Sequence, residues 1–200
     1  MMAERGVALA HTTILRWVRR YMPEFEKQWQ RYLRPAGPSW RMDETCIKMR
    51  GEWKHLYRVV DKQGNTVDFS LSEHRDIDAA KRFLTQAIEE AGMPEKITVD
   101  AYPATHSAIA ELKKTVILPA NTVVRASKYL NNLIQQGHRG VKQRAYPMLG
   151  YKRFENAGVI ISGIELARKI KKVQFDTPTV EQTGARAQQL WEDVLAACDE

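Results

Sequence analysis

Three strand-like runs crowd into residues 40–71, and the connections between them are too short to be anything but hairpins. Residues 40–49, 53–61 and 66–71 are rich in β-branched and aromatic side chains. The joints are Arg50-Gly51-Glu52 and Lys62-Gln63-Gly64-Asn65, each short and each carrying a glycine. Joints of that kind predict an antiparallel meander.

Alternation follows. Residues 76–91 read as a helix with Ala79, Ala80, Phe83, Leu84, Ala87 and Ile88 on one side, stopped by Gly92-Met93-Pro94. Lys96-Ile97-Thr98-Val99-Asp100 is a short buried strand, residues 103–114 a helix and residues 115–118 a further strand. Residues 127–144 form a basic helix, residues 147–150 a loop and residues 152–172 a long helix. Three antiparallel strands, then helix, strand, helix and strand, describe a five-stranded mixed α/β sheet flanked by helices. That order suits a ribonuclease-H-like fold, though other α/β folds share it.

Before the meander, Ile14, Trp17, Val18 and Tyr21 fall on one face of a helix over residues 12–21, with arginines opposite. Residues 24–33 read as a second helix, and Pro35-Ala36-Gly37-Pro38 is the clearest boundary in the chain. Beyond Asp176-Thr177-Pro178, residues 179–198 form a polar amphipathic tail. Trp17, Trp40 and Trp53 read as packing residues, and His74 and His106 as structural or exposed.

Charge bears on what the chain binds. Lys and Arg outnumber Asp and Glu by 31 to 24. The excess is local: residues 112–154 hold no acid, yet contain Lys113, Lys114, Arg125, Lys128, Arg139, Lys142, Arg144, Lys152 and Arg153. Such a field suits phosphate and predicts salt-sensitive binding, with a merely basic surface as the alternative. Arg16, Arg19, Arg20, Lys27, Arg31 and Arg34 make a smaller cluster. No apolar stretch approaches the ~20 residues of a membrane span, and the N-terminus lacks a signal-peptide core. Cys46 and Cys198 stand far apart without metal-ligand spacing, which fits a reducing cytoplasm.

Two carboxylates stand out by position. Asp43 lies inside the first strand, and Asp100 closes the fourth. A carboxylate at the end of a buried strand is costly unless paired or metal-bound. If the two strands are neighbours, the acids converge and can hold a divalent cation through hard oxygens. Taken singly, Asp100 is also readable as a helix N-cap, and Asp43 as a half-exposed strand acid.

Trp40-Arg41-Met42-Asp43-Glu44-Thr45-Cys46-Ile47-Lys48 resembles the first-aspartate motif of small bacterial insertion-sequence transposases of the Asp-Asp-Glu class. The likeness continues through Tyr57-Arg58-Val59-Val60-Asp61, Ile97-Thr98-Val99-Asp100 and Lys128-Tyr129-Leu130-Asn131-Asn132. It runs on in His138-Arg139-Gly140-Val141-Lys142, Pro147-Met148-Leu149-Gly150 and Ile161-Ser162-Gly163-Ile164-Glu165-Leu166, and covers roughly residues 5 to 175. The resemblance implies an integrase-type catalytic core over residues 39–175, a partial helix-turn-helix in residues 1–34 and a helical tail in residues 176–200. It implies double-stranded DNA as partner, both element ends and target, no membrane, a homodimer or higher oligomer, and a bacterial, nucleoid-associated location. Two Mg²⁺ or Mn²⁺ ions, held by three acids, would serve in-line phosphoryl transfer. Asp43 and Asp100 match the first two acids. At the third, where relatives carry Ile-Glu-Gln-Asp-His-Arg, this chain has Ile134-Gln135-Gln136-Gly137-His138-Arg139. Gln135 therefore occupies the glutamate position, which implies weakened metal binding and impaired catalysis. Arg16, Arg19, Arg20, Lys128, Asn131, Asn132, His138, Arg139, Lys142 and Arg144 are the candidate DNA contacts. The alternative is a non-catalytic DNA-binding or oligomerising protein that inhibits an intact transposase.

Overall fold

Arg50 and Gly51 both take positive φ, 49° and 89°, so they form the tight two-residue turn whose twist matches the strands it joins. The computed structural model describes residues 10–30, 32–127, 132–145 and 151–176. In chain order the elements are α1 (His11–Gln30), β1 (Ser39–Met49), β2 (Glu52–Asp61), β3 (Thr66–Ser72) and α2 (Ile77–Ala91). There follow β4 (Lys96–Val99), α3 (Pro103–Lys114), β5 (Val123–Ala126), α4 (Asn132–Ala145) and α5 (Phe154–Lys171). The chain divides into two compact units, one of Met1–Arg34 with Phe154–Glu200, the other Pro35–Arg153.

The central unit is a five-stranded sheet in the order β3-β2-β1-β4-β5. The meander β1-β2-β3 is antiparallel, and β4 and β5 add to β1 in parallel. Side chains alternate across β1, so Trp40 and Met42 face one side while Arg41 and Asp43 face the other. Trp40, Met42, Tyr57, Val59, Ile97 and Val99 are buried against Phe83, Leu84 and Ala87 of α2 and Ile109 and Leu112 of α3. The rings of Tyr57 and Phe83 lie 5.7 Å apart. Each large apolar side chain buried here contributes about 1.5–3 kcal/mol. Asp76 caps α2 by accepting the Ala79 N–H at 2.7 Å, and Gly92, at φ 88°, closes it with an N–H to the Ile88 carbonyl. On the opposite side of the sheet α4 lies against β1 and β2.

The flanking unit is built on α1 and α5. Trp29, Leu166, Ile170 and Phe175 are buried together, and the Trp29 and Phe175 rings meet edge to face at 4.5 Å. Gly163 lets the side chain of Met22 approach, at 3.6 Å from where a Cβ would stand.

Three sequence expectations need correction. The two helices expected over 12–21 and 24–33 are one, α1, with Pro23 inside it. Pro23 forfeits a backbone hydrogen bond, roughly 3 kcal/mol in a helix interior, and the apolar contacts of Met22, Phe25 and Trp29 offset that loss. The last strand is not 115–118 but Val123–Ala126. Thr115 ends α3, Val116 follows at φ 60°, and the chain spends the next residues returning to the edge of β4, where Val123 pairs with Lys96. Finally, Trp40 is core, but Trp17 and Trp53 are exposed, at 45% and 60%. Trp53 lies near the turn end of β2, in its exposed first residues, with Lys48 Nζ 5.9 Å from its ring. The expected tail over residues 179–198 and the loop over 147–150 lie outside the described residues.

Equilibrium denaturation separates the tryptophans: Trp40→Ala should cost about 3–5 kcal/mol, and Trp53→Ala less than about 0.5. Equal losses would contradict the burial pattern.

Candidate active site

Asp43 and Asp100 are brought together by strand register. β1 and β4 run parallel with Ser39 opposite Lys96, Trp40 opposite Ile97 and Arg41 opposite Thr98. Continued two residues past the last paired positions, and one past the end of β4, that register carries Asp43 toward Asp100, near enough for the charge of Asp100 to act on Asp43. The electrostatics agree. Burial, first, pushes the Asp43 carboxyl up to about 6, and the negative charges of Asp100 and Glu44 push the same way. The Glu44 backbone N–H and the Arg75 charge act against the rise. With its side chain only 13% exposed, Asp43 is not an ordinary strand acid at the surface.

Asp100 is held from its own loop. Its Oδ1 accepts the Tyr102 N–H at 3.2 Å, and its carbonyl accepts from His106 Nε2 at 2.9 Å. The N-cap residue of α3 is Tyr102, without a side-chain cap, so the N-cap reading of Asp100 does not describe it. His106, read from sequence as structural or exposed, is thus a structural fixture of the Asp100 loop. Arg75 joins from the other side, stacked 3.7 Å over the Tyr102 ring and donating to Glu44 at 2.8 Å.

The third contributor is α4. His138 is 4% exposed, and its Nε2 lies 3.8 Å from Asp43 Oδ2. Sequence reasoning placed His138 among the candidate DNA contacts; the structure sets its ring beside Asp43. Only the three-dimensional packing of α4 on β1 reveals this. Gln135 lies on α4 three residues before His138, one helical turn away. Its side chain, with those of Asn132 and Arg144, is outside the described ones, as are residues Lys128 and Asn131 altogether.

The remaining cations divide. Arg16, Arg19 and Arg20 are exposed on α1, with Arg20 5.6 Å from the Tyr21 ring. Arg139 and Lys142 are exposed on α4, and Arg125 on β5. Lys113 is engaged, its Nζ donating to the carbonyls of Ala120 at 3.1 Å and Thr122 at 2.5 Å.

A sheet with one antiparallel meander and two parallel strands, and acids on adjacent central strands, defines a ribonuclease-H-like core of the integrase type. Solved structures share that fold. The HTLV-2 integrase catalytic core domain, in complex with magnesium (trimeric form), superposes with a TM-score of 0.54 at 17% identity, over 78% of this chain and 96% of that one. The catalytic core domain of BIV integrase gives a TM-score of 0.50 at 13% identity, over 82% of this chain and 99% of that one. Residues 37–174 match the DDE domain family of IS240-type transposases. The transposase for insertion sequence-like element IS431mec of Staphylococcus aureus (strain Mu50) is 38% identical over 165 residues, 82% of this chain and 72% of that protein. The transposase for insertion sequence element IS257 in transposon Tn4003, also from Staphylococcus aureus, is 38% identical over 161 residues, 80% and 70% of the two chains. The chain belongs to this family of DDE-class insertion-sequence transposases.

A carboxyl raised in the folded state binds more protons folded than unfolded between its two values. Stability therefore falls as pH rises from about 3.8 to about 6. In metal-free buffer Asp43→Asn should stabilise the protein at pH 7 by on the order of 1–3 kcal/mol, with the gain vanishing in acid below that window. Urea unfolding at both pH values measures it. An unchanged or lowered midpoint at pH 7 would contradict the buried, like-charged setting of Asp43.

Proposed function

We propose that this chain is a DNA-binding transposase core in which Asp43 and Asp100 are the metal-holding acids and Gln135 stands in the third acid's place, leaving strand transfer impaired. The observation that carries the reading is the register that sets Asp43 beside Asp100 on adjacent parallel strands. The donor set fits a hard cation. Two carboxylates converge, one of them destabilised by burial and by its neighbour's charge, and oxygen ligands are what Mg²⁺ or Mn²⁺ prefers. A divalent cation at such a pair supplies Lewis-acid charge for in-line phosphoryl transfer.

The chain's own residues do the rest. His138, close to Asp43 Oδ2, limits how that carboxylate turns. His106 and the Tyr102 N–H fix the loop that carries Asp100. Arg139 and Lys142 on α4, and Arg16, Arg19 and Arg20 on α1, present charge to the phosphates of double-stranded DNA. Lys128, Asn131, Asn132 and Arg144 complete the proposed DNA contacts. The segment 1–34 acts in DNA binding and residues 39–175 as the catalytic core. Recognition of two element ends calls for at least two copies, so we assign a homodimer or higher oligomer, working in the bacterial cytoplasm. The second reading, a non-catalytic binder that inhibits an intact transposase, is favoured by Gln135: an amide oxygen carries no net charge and holds Mg²⁺ far less well than a carboxylate.

Purified protein with an element-end duplex should bind DNA with an affinity that falls steeply with salt, and should yield little or no strand transfer in Mg²⁺. Gln135→Glu should tighten Mg²⁺ or Mn²⁺ binding by roughly tenfold or more in calorimetric titration. Efficient strand transfer by the unaltered protein would overturn the impairment. Identical isotherms for the two forms would remove Gln135 from the site.

A further inference from the structure

The face of β1 opposite the acid pair carries a different set of donors. Glu44 and Cys46 alternate with Asp43 and Thr45, so they point to the other side of the sheet. Cys46 stands directly across from His55 of β2. Cys46 Sγ is 3.8 Å from His55 Nδ1, and the same nitrogen lies 2.7 Å from Glu44 Oε1. One donor atom of each residue falls within 4.8 Å of the other two. All three are half-buried, the Glu44 side chain only 7% exposed and that of His55 14%.

We propose that Glu44, Cys46 and His55 form a binding site for a borderline-soft divalent transition metal of the Zn²⁺ type. Sulfur, nitrogen and oxygen donors are the set that Zn²⁺ takes, at bond lengths of about 2.0–2.3 Å, which put tetrahedral ligand atoms about 3.3–3.8 Å apart. The S···N separation, 3.8 Å, is within about 0.3 Å of the value for a sulfur and a nitrogen on one such ion. The O···N separation is shorter because a proton occupies the gap, and an opening of under about 1 Å admits a metal in its place. Mg²⁺ does not compete well for a thiolate and an imidazole.

The surroundings hold the trio in place. The Arg50-Gly51 turn locks the β1–β2 register that sets Cys46 against His55. Arg75 Nε binds the other carboxylate oxygen, Oε2, at 2.8 Å, leaving Oε1 toward the ring. An ordinary His–Glu ion pair explains Glu44 and His55 but gives Cys46 no part. On binding, the thiol proton of Cys46 and any proton shared between Glu44 and His55 leave to solvent, so metal affinity rises with pH. Three protein ligands leave a fourth position for water or a further donor. The site does not depend on the transposase reading, since it uses neither Asp43 nor Asp100.

The test uses the full chain with Mg²⁺ in excess, which fills hard-oxygen sites. One Zn²⁺ per chain should bind, at least about tenfold more weakly in Cys46→Ala and His55→Ala, each variant first checked for native circular dichroism. Two measurements need no variant. Zn²⁺ should slow alkylation of Cys46, read by peptide mass spectrometry, and Co²⁺ in its place should give a thiolate charge-transfer band in the near ultraviolet. Cys46 alkylation unaffected by Zn²⁺, or Co²⁺ binding without that band, would overturn the site.

Discussion

Parallel pairing of β1 with β4 is the constraint on which the rest of the central unit depends. Local chain geometry does not impose it: β1, β2 and β3 pair through short turns, whereas β4 reaches β1 only after the whole of β3 and α2, and β5 in turn reaches β4 only after α3. Its register, Arg41 opposite Thr98, buries Ile97 and Val99 beside Trp40 and Met42 and sets two carboxylates side by side. A one-residue slip would turn the apolar side chains of β4 out of the core. Hydrophobic burial thus supplies the free energy that holds Asp43 near Asp100, and the Asp43 carboxyl is raised first by that burial and then by the charge of Asp100.

Much of this is legible in the amino-acid sequence because it rests on local rules. The meander follows from glycine-bearing joints, and α2 follows from its apolar stripe, with Asp76 at one end and Gly92 at the other. Asp43 and Asp100 stand out because charge inside or at the end of an apolar strand needs an explanation. What resisted reading was decided by tertiary packing. Residues 115–118 have strand composition, yet α3 ends beside them and β5 forms where the chain regains the sheet edge. Pro23 reads as a break between helices, and the apolar face of α1 carries the helix through it. Trp53 reads as core from its type alone and is exposed toward the turn end of β2. His138 is the instructive case: the family motif made it a candidate DNA contact, but only the seating of α4 on β1 sets its ring beside Asp43.

Alternation along β1 gives one strand two chemistries. One face offers carboxylate oxygens at the junction with β4, close to a helix bearing exposed Arg139 and Lys142. The other face belongs to the apolar core for half its length and ends in the polar group of Glu44, Cys46 and His55. Arg75 acts on both, binding Glu44 on one face while its charge moderates Asp43 on the other. The acid pair therefore sits by a strand whose neighbouring positions are already committed, with α4 the helix packed against it.

Crystals of the protein soaked in Mn²⁺ offer the most direct test, because anomalous scattering locates the ion without assumption about activity. The account predicts a peak bridging the carboxylates of Asp43 and Asp100. Manganese bound elsewhere with none between those two side chains, or the two carboxylates turned to opposite sides of the sheet, would contradict it.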